Sequence, residues 1–369
     1  MIYLDNAATS RFKPLKVKIA AIKEINRSAN PGRSSHKASI RAAEKIEECR
    51  AEIQDKFFAG NVVFTKNCTE ALNLAIFGSQ PEKQVIATSM EHNSVLRPLK
   101  KLADNGRIKF TVITPDEKGD FSDSLATALL RPTSLAVFTA MSNVTGRSCD
   151  VKKYADMVKS ASDALVLADM AQGAGHLKID FSSIDMCAFA GHKSLHGLQG
   201  TGFLLAKPEI RLKPLIYGGT GTSSLSLEQP QEFPEGMESG TLNTVGIAAL
   251  TEGIRWTYEN FGRLNSKIKK LTEYLYRQLK NIDTLKIHSA ENGIVLCNFS
   301  NITCSEAADI LDADYGICVR SGLHCAPLAH RTIGTLPYGA IRFGIGWDNT
   351  FSEMDKVAAA MEEISHKRP

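Results

Sequence analysis

The chain has 369 residues, 43% of them hydrophobic and 23% charged, with a formal net charge of +4 spread along its length. That profile excludes a disordered or fibrous chain and argues against a nucleic-acid surface; the most basic run, "SKIKK" at 266–270, falls in an amphipathic helical pattern whose charges face solvent. No apolar stretch reaches the roughly 18 residues of a membrane span, and "MIYLDNAATS" lacks the basic-then-apolar pattern of a leader, so no membrane association and a cytoplasmic location are expected.

A chain of this length exceeds one small core, which predicts a large domain with a smaller one. Residues 15–60 read as helical, with "KASIRAAEKIEECRAEIQDKF" giving an apolar stripe at three- and four-residue spacing. Strand-like "NVVFT" (61–65), "QVIATS" (84–89), "KFTVIT" (109–114), "SLAVFTAM" (134–141) and "ALVLAD" (164–169) then alternate with helical patterns at 69–78, 93–104, 122–130 and 151–161. "MCAFAG" (186–191) and "TGFLLA" (201–206) complete the series. Short apolar strands alternating with amphipathic helices predict an α/β fold whose mostly parallel sheet is sandwiched by helices. From about 245 the pattern becomes α+β: a long helical stretch (245–281), "GIVLCNFS" (293–300), a helix at 305–313, "ICVRSG", "AIRFGIG" and a last helix at 351–366.

In open α/β sheets the ligand lies beyond the carboxyl ends of the strands. After "VVFT", Asn67 or Thr69 can cap a helix whose free N–H groups suit a phosphate, although taken alone a plain cap is the favoured reading. Asp169 ends an apolar strand, where a carboxylate is costly without a cation or donors. Lys193 follows the apolar "MCAFA" within Gly191-His192-Lys193-Ser194. A lysine one strand–connection–strand unit from a carboxylate suggests a Schiff-base lysine beside the group that protonates a pyridine ring, the arrangement that holds pyridoxal phosphate. His92 in "SMEHNS" can stack on a flat ring or merely cap a helix; Asn143 in "AMSNVTG" can be a donor or a turn residue.

Taken in order, "IYLDNAAT", "NCTEALN", "MEHNS", "SNVTG", "LADMAQ", "AGHKSLHG", "ESGTLNT" and "VRSGLHCAPLAH" resemble the motifs of class V aminotransferase-fold enzymes. The resemblance is greatest to group II cysteine desulfurases, which include selenocysteine-lyase-like members, and it spans essentially the whole chain. It implies fold type I, a large domain at 15–245, a small domain of 1–14 with 246–369, and a homodimer with active sites at the interface. It implies pyridoxal 5'-phosphate linked to Lys193, with Asp169 on the pyridinium, Gln172 on the phenolic oxygen and His92 stacked on the ring. Thr69 and His192 would hold the phosphate, Cys68 would join the cofactor-binding set with Asn143, and Thr241 would reach in from the partner subunit. Asn143, Arg342 and Arg320 would bind the substrate carboxylate, a task suited to a guanidinium fork.

Two departures from the family pattern, and one contrast with the long loop of group I enzymes, stand out. Ala190 replaces a serine that precedes Gly-His-Lys in many relatives. Leu323-His324 stands where two histidines often precede the cysteine. Arg320 and Cys325 are only five positions apart, which makes the loop short.

Cys325 itself lies between His324 and His330. With no CxxC pair among eight cysteines, a disulfide framework is not expected in a reducing compartment, and no second Cys/His cluster exists to complete a metal site. Its polar flanks disfavour a buried filler. A nucleophile activated by His and Arg neighbours remains. The resulting expectation is conversion of L-cysteine to L-alanine, with sulfur carried on Cys325 as a persulfide that a second thiol or a sulfur-acceptor protein removes. Selenocysteine lyase, acting on L-selenocysteine with less dependence on Cys325, is the nearest rival. Another pyridoxal-phosphate lyase or aminotransferase, or a non-catalytic scaffold with a decayed site, are the others.

Overall fold

The computed structural model describes residues 1–31, 34–222 and 225–366. In chain order the elements are β1 (Ile2–Tyr3), α1 (Leu15–Ile25), α2 (Lys37–Lys56), β2 (Asn61–Thr65), α3 (Cys68–Gly78), β3 (Gln84–Thr88), α4 (Asn93–Asp104), β4 (Lys109–Ile113), α5 (Ser122–Leu129), β5 (Thr133–Thr139), α6 (Val151–Ala161), β6 (Leu165–Asp169), β7 (Met186–Ala190) and β8 (Gly202–Ala206). They continue with α7 (Thr244–Glu259), α8 (Phe261–Leu279), β9 (Leu285–Glu291), β10 (Ile294–Phe299), α9 (Cys304–Tyr315), β11 (Ile317–Cys318), β12 (Arg320–Gly322), α10 (Pro327–Thr332), β13 (Ala340–Gly344) and α11 (Phe351–His366).

Among the described residues the strands form three sheets. The largest has the order β2-β8-β7-β6-β5-β3-β4; β8 is antiparallel to both neighbours, and the others run parallel to one another. Alternate residues serve opposite faces, as the two-residue strand period requires. Ile86, Ala136 and Phe138 share one core with side chains of α2, α5, α6 and α7. Val85, Ala87, Leu135 and Val137 share the other with α3 and α4. Burial on both faces explains why β3, β7 and β8 read as continuous apolar runs.

The second sheet, β12-β13-β10-β9, is antiparallel and packs with α8, α9 and α11 through Leu271, Leu275, Leu311, Val357 and Met361. The start of the chain lies against it: β1 pairs in parallel with β11, matching Ile2 to Ile317 and Tyr3 to Cys318, and Asp5 bridges to Gly344. A Cβ on Gly344 would meet the Ala7 nitrogen at 2.8 Å, so this close approach of two backbones requires glycine. Helix α7 packs Ile247, Leu250 and Ile254 into the core of the large sheet.

Several elements differ from the sequence reading. The helical stretch at 15–60 is two helices, because "NRSANP" after Ile25 carries the turn formers Ser28, Asn30 and Pro31. The stretch at 245–281 is also two, broken at Asn260, which ends α7 and precedes α8. "ICVRSG" splits between two sheets as β11 and β12 rather than forming one strand. Strands β1 and β9 and helix α10 had no expectation; β1 and α10 are short, and β9 is half-exposed without a clean alternation.

Candidate active site

Because β3, β5, β6 and β7 are parallel, their carboxyl ends share one edge, and the register pairs Thr139 with Asp169 and Asp169 with Ala188. Cys68, Thr69, His92, Asn143, Asp169, Gln172, His192 and Lys193 line a single cleft of about 500 Å3 at that edge, with Ala190 in its wall. Residues as far apart in the chain as Cys68 and Lys193 meet because each ends or follows a neighbouring strand.

Asp169 is buried, and its Oδ1 accepts from the Ala171 N–H at 2.8 Å and from the Cys68 thiol at 3.6 Å. Burial pushes its carboxyl up, while the Ala171 N–H, the Lys193 charge and the Cys68 thiol pull it back. Burial pulls Lys193 down, and Asp169 opposes that shift. The pair therefore holds each other's charge in a poorly solvated place. Burial and the Asp169 charge push the Cys68 thiol well up, so Cys68 acts as a donor to the carboxylate and not as a thiolate.

The helix cap of α3 is Asn67, whose side chain accepts from the Glu70 N–H at 2.9 Å. Thr69 is free of that duty and pairs with the Ser94 hydroxyl at 2.8 Å. His92 caps α4, its Nδ1 accepting from the Ser94 N–H at 3.0 Å. The capping reading holds, and the imidazole also lines the cleft. Burial and the Lys193 charge take His92 down to about 4, so the ring is neutral near pH 7. His192 likewise falls to about 4 through burial and pairs Nδ1 with the Thr9 hydroxyl at 3.1 Å. Its carbonyl accepts from Ser10 and from Lys13, so the N-terminal segment braces the Gly-His-Lys turn.

Gln172 is held by donation from Nε2 to the Ala7 carbonyl at 2.7 Å. Arg342 is 1% exposed; Nη1 donates to the Asn143 carbonyl at 2.8 Å and Nη2 to Asp5 Oδ1 at 2.7 Å. Its Nε is buried and has no partner among the described residues. Arg342, Arg320 and Cys325 do not line the cleft itself, but they connect to it. Asn143 Nδ2 donates to the His324 carbonyl at 2.8 Å, and the Asn93 N–H donates to the Cys325 carbonyl at 2.7 Å. Cys325 is exposed, with Arg320 Nη2 3.6 Å from its sulfur.

Thr241 is separate from this group: it is exposed and lines another cleft with Arg50 and Glu238. Residues the sequence reading did not single out include Asp5, the partner of Arg342, and Lys13, which burial lowers to about 8. Glu91 is fully buried; its Oε1 accepts from Thr88 Oγ1 and the Thr139 N–H, both at 2.7 Å, linking the ends of β3 and β5. The only available signal for Asp5 and Glu91 was their place inside "IYLDNAAT" and "MEHNS".

The sequence profile described as aminotransferase class-V matches residues 2–357. The chain belongs to that family. Within the family, a probable cysteine desulfurase of Methanothermobacter thermautotrophicus is 33% identical over 388 residues, covering 99% of this chain and 94% of the relative. The cysteine desulfurase IscS of Pseudomonas syringae is 28% identical, covering 97% of this chain and 91% of that one. Among solved structures, the apo cysteine desulfurase of Thermococcus onnurineus superposes with a TM-score of 0.91 at 29% identity, covering 99% of this chain and 94% of that one. The cysteine desulfurase CsdA of Escherichia coli gives 0.87 at 27% identity, with coverages of 98% and 94%. The architecture is the fold type I expected from the resemblance. Pyridoxal phosphate is the cofactor of this family. No helix among the described residues is long and apolar enough to cross a membrane.

Proposed function

We propose that this protein is a pyridoxal-phosphate-dependent cysteine desulfurase, converting L-cysteine to L-alanine and passing the sulfur to Cys325 as a persulfide. One observation carries the reading: the exposed Cys325 thiol, beside Arg320, sits on a turn whose carbonyls are bonded by Asn143 and Asn93 at the cleft.

The residues present fit the cofactor. A lysine and a carboxylate that burial makes costly face one cleft, and both donors to Asp169 fall on Oδ1, which leaves Oδ2 as the acceptor for a pyridinium N–H. Cys68 and Thr69, at the start of α3, carry backbone N–H groups without an intrahelical acceptor, suited with His192 to a phosphate. Pyridoxal phosphate, when bound, supplies the electron sink for the amino acid's α-carbon.

Lys193 provides the covalent attachment and then moves the α-proton. His92, neutral and fixed by its cap, offers a flat face to the ring, and Gln172 a donor to the phenolic oxygen. Asn143, Arg320 and the unmet Nε of Arg342 take the substrate carboxylate. Cys325 attacks the substrate sulfur: the S–S bond forms as the Cβ–S bond breaks, and the electron pair stays on carbon, which is protonated to alanine. A second thiol or an acceptor protein then removes the persulfide.

The same reading divides the chain into a large domain at 15–245 and a small one of 1–14 with 246–369, with α7 packing across the boundary. It places the protein in the cytoplasm as a homodimer, with Thr241 supplied by the partner subunit. Leu15, Ile19, Ile22 and Ile25 support the dimer, since they recur on one face of α1 and are exposed.

The test is alanine release from L-cysteine, with a reductant, by wild type and Cys325→Ala side by side. Release by the wild type alone supports the reading. Equal release by both means sulfur leaves without Cys325, and release by neither, with cofactor bound, turns attention to L-selenocysteine.

A further inference from the structure

Behind Cys325 lies a chain of buried polar groups. His324 and His330 are 2% and 0% exposed. His324 Nε2 is 3.3 Å from the Arg320 carbonyl oxygen, His324 Nδ1 is 3.1 Å from His330 Nε2, and His330 Nδ1 is 2.7 Å from Thr335 Oγ1.

The direction of each bond follows from elementary constraints. A carbonyl only accepts, so His324 Nε2 carries a proton. Burial pushes His324 down to about 2, so the ring is neutral and its Nδ1 accepts. His330 Nε2 is therefore the donor. Burial takes His330 down to about 4, so this ring is neutral too, and its Nδ1 accepts from the Thr335 hydroxyl. The single proton of Thr335 goes to this nitrogen at 2.7 Å and not to the His330 carbonyl at 3.4 Å. One arrangement satisfies every group: Thr335 to His330, His330 to His324, His324 to the backbone of Arg320.

What this chain holds is an unfavourable piece of backbone. His324 has φ of 49° and Cys325 of 56°, two consecutive non-glycine residues in the left-handed region. Such a conformation persists only where its surroundings enforce it. The Asn143 and Asn93 bonds hold the two carbonyls from the cleft side. On the opposite side the anchor is the His324 side chain. The direction of the Cys325 sulfur, and with it the 3.6 Å approach of Arg320, depends on those two φ angles.

We propose that the Thr335–His330–His324 chain holds the Cys325 turn in its left-handed form, making His330 and Thr335 positioning residues for the sulfur acceptor. The proposal rests on the role assigned to Cys325 above. Without the Thr335 proton, His330 Nδ1 is left unmet in a buried place, or both rings exchange tautomers and the Arg320 carbonyl loses its donor.

The experiment compares Thr335→Val, isosteric but without the hydroxyl, with Thr335→Ser, which restores it, in the holoenzyme. Two quantities are read: kcat and KM for alanine release, and the rate of Cys325 alkylation by iodoacetamide, followed on the Cys325 peptide by mass spectrometry. Thr335→Val is expected to lower kcat about tenfold with little change in KM, and to slow alkylation of Cys325. Thr335→Ser is expected to recover both. A valine variant that matches wild type in both readouts overturns the proposal, as does a serine variant as impaired as valine. If Thr335→Val does not fold, His330→Gln against His330→Leu decides on the same terms, glutamine keeping a donor toward His324. A wild type that releases no alanine defeats the desulfurase reading alone, because the alkylation comparison still tests the chain.

Discussion

Arg342 Nη2 donates to Asp5 Oδ1 at 2.7 Å, joining the first residues of the chain to a strand near its end. The guanidinium is almost wholly buried, and its Nη1 donates to the Asn143 carbonyl at the cleft. One ion pair thus ties the N-terminal segment, the small sheet and the loop after β5. Asp5→Asn leaves the Arg342 charge buried with weaker compensation, at a cost of about 2–3 kcal/mol. Urea denaturation is expected to show a lower midpoint, and kinetics a higher KM for L-cysteine. An unchanged midpoint contradicts the structural weight given to this pair.

Lys193 is the group whose loss should be most complete. Borohydride reduction of the wild type is expected to leave the cofactor fixed on the Lys193 peptide, as peptide mass spectrometry reads. Lys193→Ala should release all cofactor under the same treatment and lose roughly 10²–10⁴-fold in rate for want of the proton carrier. Retention of fixed cofactor at another lysine would refute the assignment.

The buried histidines set the acid side of the stability profile. Chiefly through burial, His92, His192 and His330 fall to about 4, His196 to about 3 and His324 to about 2, from an ordinary 6.5. Below pH 6.5 the unfolded chain binds more protons at these sites, so stability present above that pH is lost as the pH falls. Glu91 acts in the opposite sense: burial raises it from 4.5 to about 8, so its contribution is full below pH 4.5 and is lost as the pH rises toward and through 8. Denaturation midpoints should rise between pH 4.5 and 6.5, where five histidines outweigh Glu91, and decline gently toward pH 8. Glu91→Gln should remove that decline. A profile flat on the acid side would show that these rings are not neutral in the fold.

Ala190 is buried in the cleft wall. Ala190→Ser offers one more hydroxyl to the phosphate and is expected to tighten cofactor retention by roughly 1 kcal/mol. Equilibrium dialysis of pyridoxal phosphate reads this directly. Weaker retention would mean that the added oxygen crowds the site.

Much of the cleft was legible along the chain. Parallel strands buried on both faces must be continuous apolar runs, so a polar residue just past each run marks the common edge of the sheet. His92, Asn143, Asp169 and Lys193 were found that way, and all four line one cleft. Strand β9 was not legible because its residues are partly exposed on an edge, where neither alternation nor a full apolar run is imposed. The joints at 26–36 and at Asn260 were obscured by an apolar periodicity that continued on either side.

The sequence by itself determined the element types of the large sheet, their order along the chain and the polar residues at their ends, because periodicity and composition are local properties of the chain. Only the tertiary structure decided that Asp5 pairs with Arg342 across 337 positions and that His324 leans on His330 behind Cys325. Those choices turn on which buried donor finds which acceptor. A buried polar group must be paired wherever the packing brings a partner, and that place is set by the whole fold, not by neighbours in the chain.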